Sequence, residues 1–234
     1  SEHKIKTASL GYPRIGPNRE LKKALESYWK GEITQEKLIE IGKKIKKDNW
    51  TLQKNSGIDF IPSNDFSFYD QILDMSCLLG AIPKRYNWNG KNVDLDTYFS
   101  MARGVQEKQG LSQKPVAAIE MTKWFDTNYH YLVPEFSRGQ SFKLSSDKPF
   151  AEFKEAKELG IKTRPVLIGP VTYLMLGKTK EADFSIFELL DAVLPVYVSI
   201  LNELKNLGAE WVQIDEPFLA MDLDEDAKSA YSKG

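Results

Sequence analysis

The 234-residue chain is 41% hydrophobic and 28% charged, and 33 acids against 32 bases leave a net charge of −1. That length can bury a sizeable core, while near-neutrality removes any global reason to expect nucleic acid or an acidic membrane surface as a partner. A lone cysteine, Cys77, excludes an internal disulfide framework and suits a reducing compartment, and with only His3 and His130 the chain cannot build a Cys/His-rich structural zinc site by itself.

No apolar run is long enough to span a bilayer and no signal peptide opens the sequence, so a cytoplasmic protein is expected. TASLGYP (residues 7–13) reads as a short strand entering a Gly-Pro loop. Asn18 stands where it can cap a helix whose Leu21, Ala24, Leu25 and Tyr28 share one face, with Gly31 ending it. Thr34 opens a second helix, stapled by Ile33 and Leu38. Ile41, Ile45 and Leu52 continue its apolar face, and Gly57 takes the left-handed position past its end.

A pattern then recurs: Gly57 precedes IDFIP, Gly160 precedes IKTRPVLIGP, and Gly208 precedes AEWVQIDEP. A helix stops at glycine, a compact apolar run follows and proline closes it, as in buried parallel strands. Phe150, Phe153, Ala156 and Leu159 form one helical stripe. Ser185 with Glu188 makes a capping box before a long apolar helix that Pro195 should kink without ending. Adding AAIEM (117–121) and SFKL (141–144) gives six candidate strands alternating mostly with helices, the rhythm of a (β/α) barrel or a doubly wound sheet. No Gly-rich dinucleotide fingerprint follows any strand. A barrel of six strands is two short of closure, and residues 86–93 read as an inserted loop.

Four segments carry candidate chemistry, because active groups in such folds lie beyond the carboxyl ends of strands. In GYPRIGPNRELKK (11–23), Arg19 and Lys22 project from the first turn of a helix, whose amino terminus favours anions, although on spacing alone two cations on an exposed turn are more simply read as solvated. In FIPSNDFSFYDQ (60–71), Asp65 follows a strand and Ser67 reads as the cap of a helix over 68–79. Cys77 lies amid that helix's apolar residues as an inert buried thiol. In EMTKWFDTNYHY (120–131), Lys123 lies two residues past the expected strand end, with Asp126, Asn128 and His130 near it and aromatic rings throughout. In QIDEP (213–217), the adjacent Asp215 and Glu216 point to opposite sides, and a hydrolase pair would need a second carboxylate such as Glu120 or Asp65.

Together, GYPRIGPNRELKKALESYWKG, IPSNDFSFYDQILD, LDTYFSMARG, EMTKWFDTNYHYLVPEF, RPVLIGPVTYLMLGK, LPVY and EWVQIDEP resemble the N-terminal barrel of the cobalamin-independent methionine synthase family, in the family's order and nearly end to end. The resemblance implies two face-to-face (β/α)8 TIM-type barrels and methyl transfer from 5-methyltetrahydrofolate polyglutamate to homocysteine, forming methionine without cobalamin. It implies that residues 1–234 are an incomplete N-terminal barrel of about six strands. The zinc and homocysteine ligands would belong to a C-terminal barrel absent here, leaving no metal ligand and no catalytic residue in this chain and no turnover by it alone. Arg19, Glu20, Leu21 and Lys22 correspond to the family's RELK folate-binding segment and Lys123 to the lysine of its EMTKWF motif. A polyglutamate tail is a string of carboxylates, which gives the cations of the first segment a ligand. Asp215 and Glu216 then read as structural or ancestral. A glycoside hydrolase barrel and a non-catalytic module for a polyanion or a partner barrel are the rival readings.

Overall fold

A computed structural model describes residues 5–11, 13–107 and 114–234; Tyr12 of the first loop and His3 lie outside them. In chain order the helices are α1 (Glu20–Trp29), α2 (Gln35–Asn55), α3 (Gln71–Leu79), α4 (Leu95–Arg103), α5 (Lys148–Glu158), α6 (Pro170–Leu176), α7 (Leu190–Asn206) and α8 (Glu225–Lys233). The strands are β1 (Pro62–Ser63), β2 (Met121–Lys123), β3 (His130–Leu132), β4 (Glu135–Phe136), β5 (Arg164–Ile168), β6 (Lys178–Thr179) and β7 (Gln213–Asp215). This is a mixed α/β fold. Its sheets are ordered β1-β5-β7, β2-β3 and β4-β6, and among the described residues no sheet closes into a barrel. No described helix is long and apolar enough to cross a membrane.

The chain divides into two compact units, the first made of Ser1–Phe68, Lys148–Val166 and Leu204–Gln213, the second of Tyr69–Asp147, Leu167–Glu203 and Ile214–Gly234. In the first unit β1 and β5 pair in parallel, Pro62 opposite Arg164 and Ser63 opposite Pro165. Trp50 of α2, Ile61 before β1, and Ala156 and Ile161 from and after α5 form a buried cluster. The Trp50 indole N–H donates to the Pro62 carbonyl at 3.0 Å, so the helix is pinned to the strand by a hydrogen bond as well as by apolar burial. The expected TASLGYP strand contributes a single parallel bridge, Ala8 to Phe60.

Several expected boundaries move, each for a visible reason. Asn18 does not cap α1: its amide groups donate to the Glu20 carboxylate, and Arg19 takes the cap position in the left-handed region, φ 59°. Thr34 does cap α2, accepting from the Lys37 amide at 3.2 Å, and Gly57 is left-handed as expected. The third helix is capped by Asp70 instead of Ser67 and starts at Gln71.

In the second unit AAIEM forms no buried parallel strand. The Ala117 carbonyl accepts from Arg85 Nε and the Tyr86 hydroxyl and the Ala118 carbonyl from Arg85 Nη2, so these backbone acceptors go to side chains. The ladder begins later, as β2, which is exposed and pairs antiparallel with β3. SFKL is likewise no strand: Lys143 and Ser145 donate to the carbonyls of Leu79 and Leu78, satisfying the open end of α3. The Ser185–Glu188 capping box is present but opens a 3-10 turn, Ile186–Leu189, that runs into α7, and α7 continues through Pro195. Finally β7 is half-exposed, with Ile214 at 43% exposure, where burial on both faces was expected.

Candidate functional site

The RELK turn belongs to the first unit. Leu21 is fully buried and anchors the turn, while Arg19 and Lys22 point outward. Left-handed backbone at a residue with a Cβ costs on the order of 1–3 kcal/mol and is held only where the surroundings demand it. Here the Arg19 amide donates to the Gly16 carbonyl, and the Arg19 carbonyl accepts from the Lys23 amide, 3.1 Å each. Gly16 is itself left-handed, φ 85°, a conformation that favours glycine, and a Cβ there would also displace the Glu20 carboxylate.

Glu20 turns inward on its own turn. Its own backbone amide, then the amide and side chain of Asn18 and the charge of Lys23, hold its carboxyl below the usual range against a contrary push from partial burial. The amides of Asn18 and Leu21 are thereby taken, the first by Glu20 and the second by the Ile15 carbonyl at 3.0 Å. An anion arriving here meets side-chain cations more than open helix amides. Lys22 has only a loose 3.9 Å pair with Glu26, half-exposed on both sides, and Arg19 has no ion pair among the described residues. Such a pair is worth at most a few tenths of a kcal/mol, so both cations stay available.

Sequence reasoning missed the groove beside this turn. Between α1 and α2 a cleft of about 520 Å³ is lined by Glu20, Ala24, Ile33, Ile41, Ile45 and Leu52, among others. The spacing of Ile41, Ile45 and Leu52 marked that face as apolar, but only the packing of α1 on α2 reveals that it is partly open.

The second unit contains Lys123. The stretch EMTKWFDTNYHY is a hairpin: Met121 pairs with Leu132, Thr122 with Tyr131 and Lys123 with His130. Lys123 is therefore the last residue of a strand, where it was expected two residues beyond one. The Trp124 amide donates to the Tyr129 carbonyl, Phe125 takes the left-handed region at φ 50°, and the Thr127 hydroxyl donates to the Trp124 carbonyl. Trp124 packs edge-on against Phe125, Tyr129 and Tyr131, with ring centroids 5.2–6.4 Å apart. The rings thus fold the hairpin tip onto itself, and Phe125 also packs against Phe218 with ring centroids 4.9 Å apart. Lys123 is exposed, and among the described residues its ammonium has no hydrogen bond or ion pair.

Asp70 fixes this hairpin and was not singled out in the sequence. It is 2% exposed; its Oδ2 accepts from the Leu73 amide at 2.9 Å and the Leu132 amide at 3.0 Å, and its Oδ1 from the Tyr129 hydroxyl at 3.1 Å. Burial raises its carboxyl above the usual range, and these donors pull the other way. The sequence signal was there, since an acid three residues before an apolar position is a capping pattern.

Two of the candidate acids, Glu216 and Glu120, are held by other groups of the second unit. Glu216 caps α6, accepting from the amides of Val171 and Thr172 and from the Tyr231 hydroxyl. Glu120 pairs with Lys178. The Asp215 carbonyl accepts from the Gly169 amide at 2.8 Å. The Cys77 thiol is buried, and burial pushes its pKa well up, as an inert thiol requires. Among the described residues no group of three or more His, Cys, Asp or Glu could hold a metal ion, so the donors present do not fit zinc. The structure gathers Arg19, Glu20, Leu21 and Lys22 on one turn; Lys123 belongs to the other unit.

The sequence model of the family described as cobalamin-independent synthase, N-terminal domain, matches residues 6–234. The chain is 57% identical over 230 residues to a 5-methyltetrahydropteroyltriglutamate–homocysteine methyltransferase of Flavobacterium johnsoniae, covering 98% of this chain and 29% of that protein. It is 53% identical over 233 residues to the protein of the same name from Saccharomyces cerevisiae, covering 98% and 30% respectively. The protein of that name from Salinibacter ruber is 53% identical over 224 residues, 95% of this chain and 29% of its own length. The chain belongs to the family of cobalamin-independent synthase N-terminal domains, and it spans roughly three-tenths of the length of these curated relatives.

Proposed function

We propose that the chain is the amino-terminal part of a cobalamin-independent methionine synthase that transfers a methyl group from 5-methyltetrahydropteroyltriglutamate to homocysteine. The names of the relatives and the family match support this reading. Its contribution is binding surface for the folate, with Arg19 and Lys22 receiving carboxylates of the glutamate tail and Lys123 assigned to folate binding in its own unit. The finer architecture proposed is an incomplete (β/α)8 barrel over residues 1–234, in a cytoplasmic enzyme whose homocysteine and zinc sites are borne by a C-terminal barrel outside this chain. No methyl transfer is expected from the 234 residues alone.

The observation that carries the proposal is the RELK turn. Two exposed cations project from a first turn whose apolar residue is buried and whose own acid is satisfied internally. Charge-assisted pairing of guanidinium or ammonium with carboxylate is worth about twice a neutral hydrogen bond. Hydrolase chemistry finds no such support, because Glu120 is neutralised by Lys178 and Glu216 is spent on a helix amino terminus. The test is calorimetric titration of the chain with the triglutamate folate. Arg19→Ala and Lys123→Ala should each weaken binding about 5- to 20-fold, equal to roughly 1–2 kcal/mol. Affinity indifferent to both substitutions would overturn the assignment.

A further inference from the structure

Lys123 is exposed and unpaired among the described residues, and the hairpin that carries it is gripped on its second arm by Asp70. The three bonds to Asp70 divide between two tasks. The bond from the Leu73 amide caps α3; those from the Leu132 amide and the Tyr129 hydroxyl grip the second arm of the hairpin. Leu132 faces Met121 across the ladder and Tyr129 precedes His130, the partner of Lys123. The grip therefore falls at both ends of the three-residue ladder, and on the arm that does not carry the lysine. A cap alone needs one acceptor on Asp70. The other two contacts tie the β2–β3 hairpin to the first turn of α3, and a two-stranded ribbon of this length has little stability of its own. Tyr131 adds a hydroxyl bond to the Leu176 carbonyl at 3.0 Å and the Val133 amide donates to the Glu120 carbonyl at 2.8 Å, neither of them at the tip, where Phe125 makes an apolar contact with Phe218 at 4.9 Å between ring centroids.

We propose that Asp70 is the positioning residue for Lys123, holding the hairpin so that the ammonium is presented in one place to the folate substrate. The inference rests on the reading of Lys123 given above. Asp70 touches no substrate; it acts through the hairpin, as a second layer of hydrogen bonds commonly orients a binding side chain.

Two variants separate the grip from the cap. Asp70→Ser keeps a good helix cap for the Leu73 amide but is too short to reach Leu132 and Tyr129 together. Tyr129→Phe removes one grip bond and leaves the cap intact. In the ligand-free chain, Asp70→Ser should speed hydrogen exchange of the Trp124 amide at least 10-fold while the α3 amides stay protected; unchanged exchange at Trp124 overturns the inference whatever the ligand does. In titrations with the triglutamate folate, Asp70→Ser should weaken binding about as much as Lys123→Ala, about 5- to 20-fold, with Tyr129→Phe intermediate. Asp70→Ser combined with Lys123→Ala should then be no worse than Lys123→Ala alone. If Lys123→Ala weakens binding and Asp70→Ser does not, the positioning role falls and the substrate reading stands. If Lys123→Ala binds like the parent chain, the substrate reading of Lys123 falls and the inference with it.

Discussion

The Glu216 carboxylate lies 2.8 Å from the amide of Thr172 and 3.2 Å from that of Val171, closing the amino terminus of α6. A carboxylate in that position satisfies amides that have no partner within the helix and complements the helix dipole. Glu216→Ala should therefore lower unfolding stability by about 1–3 kcal/mol in urea, and Glu216→Gln, which keeps one acceptor, by less. If Glu216 were instead a catalytic acid kept at a cost to the fold, both substitutions would leave stability unchanged or raise it.

Gly169 tests the same contact from the other side. Its φ of −67° suits any residue, so glycine is needed there for space alone: a Cβ would fall inside the Glu216 carboxylate. Gly169→Ala should cost about 1–3 kcal/mol by overpacking. Combined with Glu216→Ala the loss should be less than the sum, because the second change removes the atoms the new methyl group strikes.

In the first unit, Trp50→Phe removes the donor to the buried Pro62 carbonyl and keeps most of the apolar contact with Ile61, Ala156 and Ile161. The expected loss is about 1–3 kcal/mol, most of it from the unsatisfied carbonyl, read as a lower urea midpoint at unchanged slope.

Alkaline titration gives a separate check. Burial pushes the Tyr231 hydroxyl up to about 12 from an ordinary 10.0, and the nearby Glu216 charge adds to this, against a hydrogen bond with Thr172. The folded state then keeps this proton across a range in which the unfolded chain loses it, so stability falls as pH rises. The contribution is whole below pH 10 and gone above about 12. Tyr231→Phe should make the fall in stability across that window shallower. Tyr173 and Tyr197, both buried and also raised, leave a residual slope.

Much of the helical layout was legible in the sequence, because caps and staples are local. Thr34, the Ser185–Glu188 box and the left-handed glycines at 57, 160 and 208 stand where spacing put them. The parallel pairing of β1 with β5 was also anticipated by their apolar runs. The expected strands that failed depended on distant partners. Nothing within AAIEM says that Arg85 and Tyr86 take its carbonyls, and nothing within SFKL says that the Lys143 amide serves the end of α3. Asn18 and Ser67 look like caps in isolation and lose to Glu20, which turns Asn18 into a donor, and to Asp70, which sits three residues nearer the helix. At the candidate site the cations of the RELK turn were legible by type. That Lys22 has only a loose pair and Arg19 none among the described residues, and that Asp70 clamps the hairpin of Lys123, were visible only in the fold.

If the RELK turn reads a chain of carboxylates, glutamate-tail length tests it most directly. Affinity of the 234-residue chain for the monoglutamate and triglutamate forms of 5-methyltetrahydrofolate should be compared at low and high salt, in the parent chain and in Arg19→Ala with Lys22→Ala. The triglutamate should bind about 10-fold tighter at low salt, added salt should erode the preference by screening, and the double substitution should abolish it. Equal affinity for the two forms in the parent chain, or a preference that survives the loss of both cations, would contradict that reading of the turn.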